Sequence, residues 1–306
     1  MNKIKKKKNI SRIIFIAVIL AYPILHIGLF KLYMNLSSVF LAFKKVNIFG
    51  EYSYVGFQNF KELFQKISEP ATGYKDAIIN SALFFPFNNF ILLPVSVVCA
   101  YFLFKKVPGH GIYRVIFFIP SIVSIVALTL CYKYMLDYTV GPIPLLLRKL
   151  GLESVLPAEG FTSAKLSIAR PVVFIYCLWA GIGYNILLLQ GAITRIPESL
   201  FESARLDGAG MWVEFFSIVL PCCMETILSV FLLGCNVPFT IFLQPKLITG
   251  DNGMQTLNGL IVAGTQGSPM QQVTASAWGC ILLVVGVPFV LISRWVLQKL
   301  TPEVEF

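Results

Sequence analysis

An all-α membrane protein with six transmembrane helices is the fold class this sequence predicts. Among its 306 residues, 57% are hydrophobic and only 13% are charged, against about 45–50% and about 25% in a soluble domain. The mean hydropathy is +0.76. The apolar residues also fall in unbroken runs, each close to the roughly 20 residues a helix needs to cross hydrocarbon. A membrane β-barrel would alternate apolar and polar residues over about ten positions, and continuous runs do not. The composition excludes an ordinary soluble enzyme, a disordered chain, a disulfide scaffold and a nucleic-acid-binding domain.

The expected spans are residues 13–33, 77–104, 113–135, 171–193, 215–243 and 274–297. The first is an uncleaved helix. Its apolar core runs on to Lys31-Leu32-Tyr33-Met34, well past the roughly 7–15 residues of a signal peptide. The second is the cleanest, with no charge between Asp76 and Lys105. The fifth contains Glu225, for which a partner Lys or Arg near the same membrane face is expected. Pro86, Pro94, Pro120, Pro221, Pro238 and Pro288 lie in spans. Each removes a backbone donor and favours a kink, a feature shared by moving and static helix bundles.

Orientation follows from where the positive charge sits. Lys3, Lys5, Lys6, Lys7, Lys8 and Arg12 precede the first span and keep the N-terminus in the cytoplasm. With six spans the C-terminus is also inside. The turn 105–112 and the loop 194–214 then face the cytoplasm, and Lys44, Lys45, Lys61, Lys66 and Lys75 lie outside. The expected organisation is a basic tail, residues 1–12, and a single transmembrane domain, residues 13–306. Cys99, Cys131, Cys177, Cys222, Cys223, Cys235 and Cys280 are scattered through or beside the spans without ligand spacing. They read as packing residues, with no metal site. His26 reads as a helix–helix hydrogen-bonding group.

The informative segment is Ile196-Pro197-Glu198-Ser199-Leu200-Phe201-Glu202-Ser203-Ala204-Arg205-Leu206-Asp207-Gly208. Pro197 suits a helix start, and Glu198 complements the positive end of the helix dipole. Glu202 and Arg205 are spaced to pair, and Asp207-Gly208 supplies a stop. The spacing predicts a helix of about ten residues between the fourth and fifth spans. On the cytoplasmic side its exposed apolar residues have no lipid to face and call for a protein partner.

This segment resembles the EAA loop of ABC-importer permease subunits. That family has Glu-Ala-Ala, three residues, Gly, nine residues, then Ile-x-Leu-Pro. Here Glu202-Ser203-Ala204 opens the pattern, Gly208 follows, and Ile218-x-Leu220-Pro221 closes it. Ser203 is the one departure. The fuller Ile-Pro…Glu-x-Ala…Asp-Gly-Ala form resembles the carbohydrate-uptake, maltose-type branch. Tyr54-Val55-Gly56-Phe57-Gln58-Asn59-Phe60, Tyr113-Arg114 through Pro120, and Trp179-x-Gly181 resemble further segments of the family. On the outer side Thr249-Gly250-Asp251-Asn252-Gly253 and Gly141-Pro142-Ile143-Pro144 depart from it.

The resemblance implies a type I ABC-importer permease fold in a bacterial cell membrane. It implies four sorts of partner: a second homologous permease, two ATP-binding cassette subunits, an extracytoplasmic solute-binding (lipo)protein, and a saccharide substrate. ATP and Mg would bind the cassette subunits. This chain has no Gly-x4-Gly-Lys-Ser/Thr phosphate loop and is expected not to be an enzyme itself. Glu202, Ser203, Ala204, Asp207, Gly208, Leu220 and Pro221 would couple to the ATPase. Trp179, Gly181, Tyr184 and Asn185 in the fourth span, with Gly234 and Asn236 in the fifth, would line the solute path. Asn88 and Asn89 either join them or bond neighbouring helices. Two alternatives have their own signatures. A permease for glycerol phosphate would favour a cation inside the bundle, and a proton-coupled transporter would need mid-membrane carboxylates and inverted repeats.

Overall fold

The computed structural model describes residues 15–47, 49–69, 72–251 and 253–300. The basic tail lies outside them. The helices are α1 (Phe15–Ala42), α3 (Tyr74–Phe104), α4 (His110–Ile122), α5 (Ile125–Met135), α7 (Leu166–Ile193), α9 (Met211–Cys222) and α10 (Met224–Thr240). Between and after them come α2 (Gln58–Ser68), α6 (Pro142–Lys149), α8 (Glu198–Leu206), α11 (Leu243–Thr249), α12 (Leu257–Thr265) and α13 (Pro269–Leu300). Two short strands, β1 (Lys44–Val46) and β2 (Tyr52–Tyr54), pair antiparallel with Lys45 opposite Ser53.

Among the described residues four helices are each long and apolar enough to cross a membrane: α1, α3, α7 and α13. The other two spans are bent pairs. The third, read as continuous over 113–135, breaks at Val123–Ser124, where α4 meets α5 at 113°. Both break residues adopt extended ψ, 146° and 129°. The fifth starts earlier than expected, at Met211, and ends at Thr240. It turns by 72° at Cys223, two residues after Pro221. The first span continues to Ala42.

The chain divides into two compact units. The smaller comprises residues 1–65 and 263–281. Its apolar helix α1 buries nothing within its most hydrophobic window, as a helix bathed in lipid would. After α1 the hairpin β1–β2 and α2 form a compact lobe. Gly56 adopts φ +57 at the turn into α2, a conformation glycine takes without strain. Buried Asn59 donates from Nδ2 to the carbonyls of Ala42 and Lys44, both at 2.7 Å. Phe43, Phe57 and Phe60 cluster with ring centroids 5.3–5.8 Å apart. Lys45 pairs with Glu62 at 2.7 Å, so one lysine of the segment after α1 has a structural use.

The larger unit comprises residues 66–262 and 282–306. One core joins the lower half of α3 to α7, α8 and α9, through Val97, Tyr101, Ile186, Leu189, Phe201 and Val219. A second joins the upper half of α3 to α5, α7 and α11, through Phe84, Phe87, Leu128, Val173, Tyr176 and Ile248. Helix α4 crosses α7 at Gly183, where an added Cβ would lie 2.2 Å from the Phe117 carbonyl oxygen. Only a residue without a side chain permits that crossing.

After α5 the chain turns on Asp137. Its Oδ1 accepts from the Thr139 hydroxyl at 2.7 Å and from the N–H groups of Thr139 and Val140 at 2.9 and 3.1 Å. Gly141 fits there because a Cβ would meet the Asp137 carbonyl oxygen at 2.5 Å. The hydroxyl bond first, then the backbone N–H groups, holds the Asp137 carboxyl below its ordinary 3.8. A depressed pKa means the turn's extra stability is present above that value and lost as pH falls through the folded-state pKa. In an NMR titration the Thr139 and Val140 amide resonances are expected to move with a midpoint below 3.8. A midpoint at or above it would contradict these bonds.

Candidate functional site: a coupling helix and a membrane cavity

Helix α7 ends at Ile193 and the chain reaches α8 through Pro197, which caps it. Nine residues long, α8 has one buried side chain, Phe201. That ring sits 5.6 Å from Phe104 at the end of α3. Glu202, Ser203 and Arg205 are exposed, Ala204 is half-buried, and Leu206 is 89% exposed. Glu202 and Arg205 form no ion pair among the described residues, although their spacing permits one. The Ser203 hydroxyl donates to the Ser199 carbonyl at 2.9 Å, so the departure from the family's alanine is satisfied within the helix.

The stop is a complete αL cap. Gly208 has φ +77. Its N–H donates to the Arg205 carbonyl at 3.1 Å, and the Ala209 N–H donates to the Ala204 carbonyl at 2.9 Å, the two bonds of a Schellman motif. Nothing lies within 4 Å of a Cβ built on Gly208, so a substitution there costs backbone strain and meets no clash. We expect Gly208→Val to insert and fold, to lose roughly 1–2 kcal/mol locally and to impair coupling. Gly208→Asn tolerates the left-handed conformation and is expected to retain most function. Hydrogen exchange at residues 204–209 and uptake by both variants check this.

Leu220 is half-buried and Pro221 exposed. Both lie in the last turn of α9, beyond a π-helical stretch, Phe215–Val219. Glu225, just past the bend, is exposed and has no basic partner among the described residues, contrary to the expected pair.

Between α3, α7 and α10–α11 lies a cavity of about 420 Å³. Its polar lining comes from Asn88, Tyr176, Thr240 and Gln244, and its apolar lining includes Phe84 and Phe242. No charged side chain lines it. Of the six expected path residues only Gly181 reaches it, with Leu92 Cδ2 3.0 Å from a built Cβ. Trp179 packs against the upper core. Tyr184 is 53% exposed, outside the cavity lining. Asn185 Nδ2 lies 3.4 Å from the Ser96 hydroxyl, a helix–helix contact. Gly234 is buried against Asn89, whose Oδ1 would lie 2.4 Å from a Cβ. Asn236 is exposed on α10.

The two asparagines of α3 bond their own helix. Asn88 donates to the Phe84 carbonyl at 2.8 Å and Asn89 to the Phe85 carbonyl at 3.1 Å. They occupy a π-helical stretch, Phe87–Leu92, between Pro86 and Pro94. Such local irregularities recur at functional sites, and here Asn88 faces the cavity. Tyr176, Thr240 and Gln244 escaped the sequence reading. Tyr176 lies one turn before Ala180, another lining residue of α7, whereas Thr240 and Gln244 stand on either side of the break between α10 and α11. Helical spacing joins Tyr176 to the lining and gives no signal for the other two.

Comparison with known proteins fits this architecture. Residues 92–304 match the family described as "Binding-protein-dependent transport system inner membrane component". The sn-glycerol-3-phosphate transport system permease protein UgpA of Yersinia pestis bv. Antiqua is 30% identical over 76% of this chain and 77% of its own length. The diacetylchitobiose uptake system permease protein NgcF of Streptomyces coelicolor is 25% identical over 74% of this chain and 65% of its own. A chain of a bacterial alginate ABC transporter, solved with an alginate pentasaccharide-bound periplasmic protein, superposes with a TM-score of 0.81. It shares 24% identity and covers 96% of this chain and 97% of that one. With a family match over most of its length and the fold of a solved permease, this multi-pass chain belongs to the inner-membrane components of binding-protein-dependent ABC transport systems.

Proposed function

We propose that this chain is one half of the membrane channel of an ATP-driven importer for a neutral saccharide, and that α8 is its contact with the motor. The observation that carries the reading is α8 itself. It is a short helix between two spans, seated on one buried ring, with Glu202 and Leu206 turned to solvent. A second homologous permease would complete the channel. Two ATP-binding cassette subunits, holding ATP and Mg, would each receive one coupling helix. An extracytoplasmic solute-binding protein would deliver the sugar on the outer face. The basic residues before the first span support a cytoplasmic N-terminus, and six spans then return the C-terminus to the same side; this subunit would hydrolyse nothing itself.

The cavity supports the substrate class. Phe84, Tyr176 and Phe242 offer apolar rings, while Asn88, Thr240 and Gln244 offer hydrogen-bonding groups, which suits the apolar faces and hydroxyls of a sugar. UgpA keeps glycerol phosphate as the competing solute. A phosphate favours Arg or Lys, and neither lines this cavity. The experiment measures binding by the accompanying solute-binding protein to neutral oligosaccharides and to sn-glycerol 3-phosphate. Preference for a neutral oligosaccharide supports the proposal. Preference for the phosphate ester would replace the substrate class while leaving the coupling role untouched.

A further inference from the structure

We propose that Lys105 is the positioning residue of the coupling loop: through its ion pair with buried Glu214 it fixes α8 in the register that passes a partner's movement to α3 and α9. The inference rests on the importer reading and assigns a residue which that reading does not use.

Lys105 is the first residue beyond α3, and Glu214 lies in the first turn of α9. Their side chains are 17% and 4% exposed, and they form a direct ion pair. The same ammonium lies over the Phe201 ring, 5.2 Å from its centroid, and over Tyr101 at 5.8 Å. The Tyr101 hydroxyl donates to the Met211 carbonyl at 3.0 Å. One cation therefore touches the end of α3, the only buried side chain of α8, and the start of α9.

Apolar contact through a single ring is non-directional and leaves the rotation of α8 weakly defined. A charge pair and two cation–π contacts are directional. A buried ion pair adds little net stability, because desolvation offsets its attraction, whereas removing one partner is strongly unfavourable. Its best use is to select one geometry. The backbone supports this use. Lys106 adopts φ +52, the one non-glycine residue with positive φ among those described. Its N–H donates to the Leu103 carbonyl at 3.3 Å, and the Val107 N–H donates to the Phe102 carbonyl at 3.4 Å. Helix α3 thus stops in the same αL cap as α8, with a lysine accepting the strain, and Lys105 is held at the cap position facing Glu214.

The test uses the complete complex, purified through a tag on this chain and placed in lipid nanodiscs. Two quantities are read, each with and without Mg-AMP-PNP: hydrogen exchange of residues 198–206, and hydrogen exchange of residues 240–244. Thr240 and Gln244 line the cavity, so the second segment reports on it from a distance. In the wild type, nucleotide is expected to change exchange at 240–244 by about fivefold or more. Lys105→Met should raise exchange at 198–206 by about tenfold or more and abolish the nucleotide effect at 240–244 while nucleotide still binds. Lys105→Arg, which keeps both the ion pair and a cation over Phe201, should restore both. Unchanged exchange at 198–206 in Lys105→Met overturns the proposal. So does raised exchange with the nucleotide effect intact, because the pair would then be merely structural. A wild-type complex that shows no nucleotide effect overturns the importer reading itself, and is recognised before any variant is compared.

Discussion

Glu202→Lys is expected to lower ATP-driven uptake by at least about 30-fold while the chain inserts and folds normally. Glu202 is exposed on α8, and no ion pair or hydrogen bond of the described residues uses its carboxylate. Reversing its charge removes nothing from either core, so stability should change by no more than about 0.5 kcal/mol, as for other surface positions. If the carboxylate sits in a groove of the ATPase, a lysine there places an unpaired charge in a desolvated site. Loss of such an anchor costs about 2 kcal/mol or more, which is the stated factor. Thermal unfolding of the variant in detergent separates failure to couple from failure to fold. Uptake at the wild-type rate would remove α8 from the coupling path.

Gly183→Val should act in the opposite way, destroying the fold before function is reached. A Cβ at Gly183 lies 2.2 Å from the Phe117 carbonyl oxygen and 3.2 Å from its carbonyl carbon. These are backbone atoms of α4 and cannot rotate aside, so the helices must separate. The cost lies at or beyond the roughly 1–3 kcal/mol of ordinary overpacking. A fall in Tm of roughly 6–12 °C, or loss of the chain from the membrane, is expected. Gly181→Ala is the comparison. Its Cβ meets only the Leu92 side chain, at 3.0 Å, which can adjust, and its effect should fall on solute rather than on Tm. Equal Tm losses in the two variants would contradict the assigned crossing.

Much of the architecture is legible in the sequence because hydrocarbon demands long apolar runs. The bends are less so. Pro221 marks the 72° turn at Cys223 within two residues. Pro120 signals a kink in the third span but not a 113° break three residues later. Helix α8 is readable from local signals alone: a proline start, an acidic first turn and an Asp-Gly stop. Its seat was not, because Lys105 and Glu214 are far apart in sequence and only the fold brings them together.

The cavity separates direction from depth. Gly181 and Asn185 share a face of α7, and periodicity groups them together. In the structure Gly181 borders the cavity, while one turn further on α3 closes against α7, and Asn185 meets Ser96 instead. Gly234 is expected on the path because it lies in the fifth span, which the resemblance places along it. Its place is set by Asn89, which leaves no room for a side chain. Helical spacing reports which way a residue points and is silent on where a neighbouring helix ends the open space.

The most direct test of the account is solute accumulation in proteoliposomes containing the complete complex, its solute-binding protein and labelled oligosaccharide. The account predicts uptake against a gradient that requires Mg-ATP on the side of α8, is insensitive to a protonophore, and disappears in Glu202→Lys. Uptake that proceeds without ATP and collapses when the proton gradient is dissipated would contradict it.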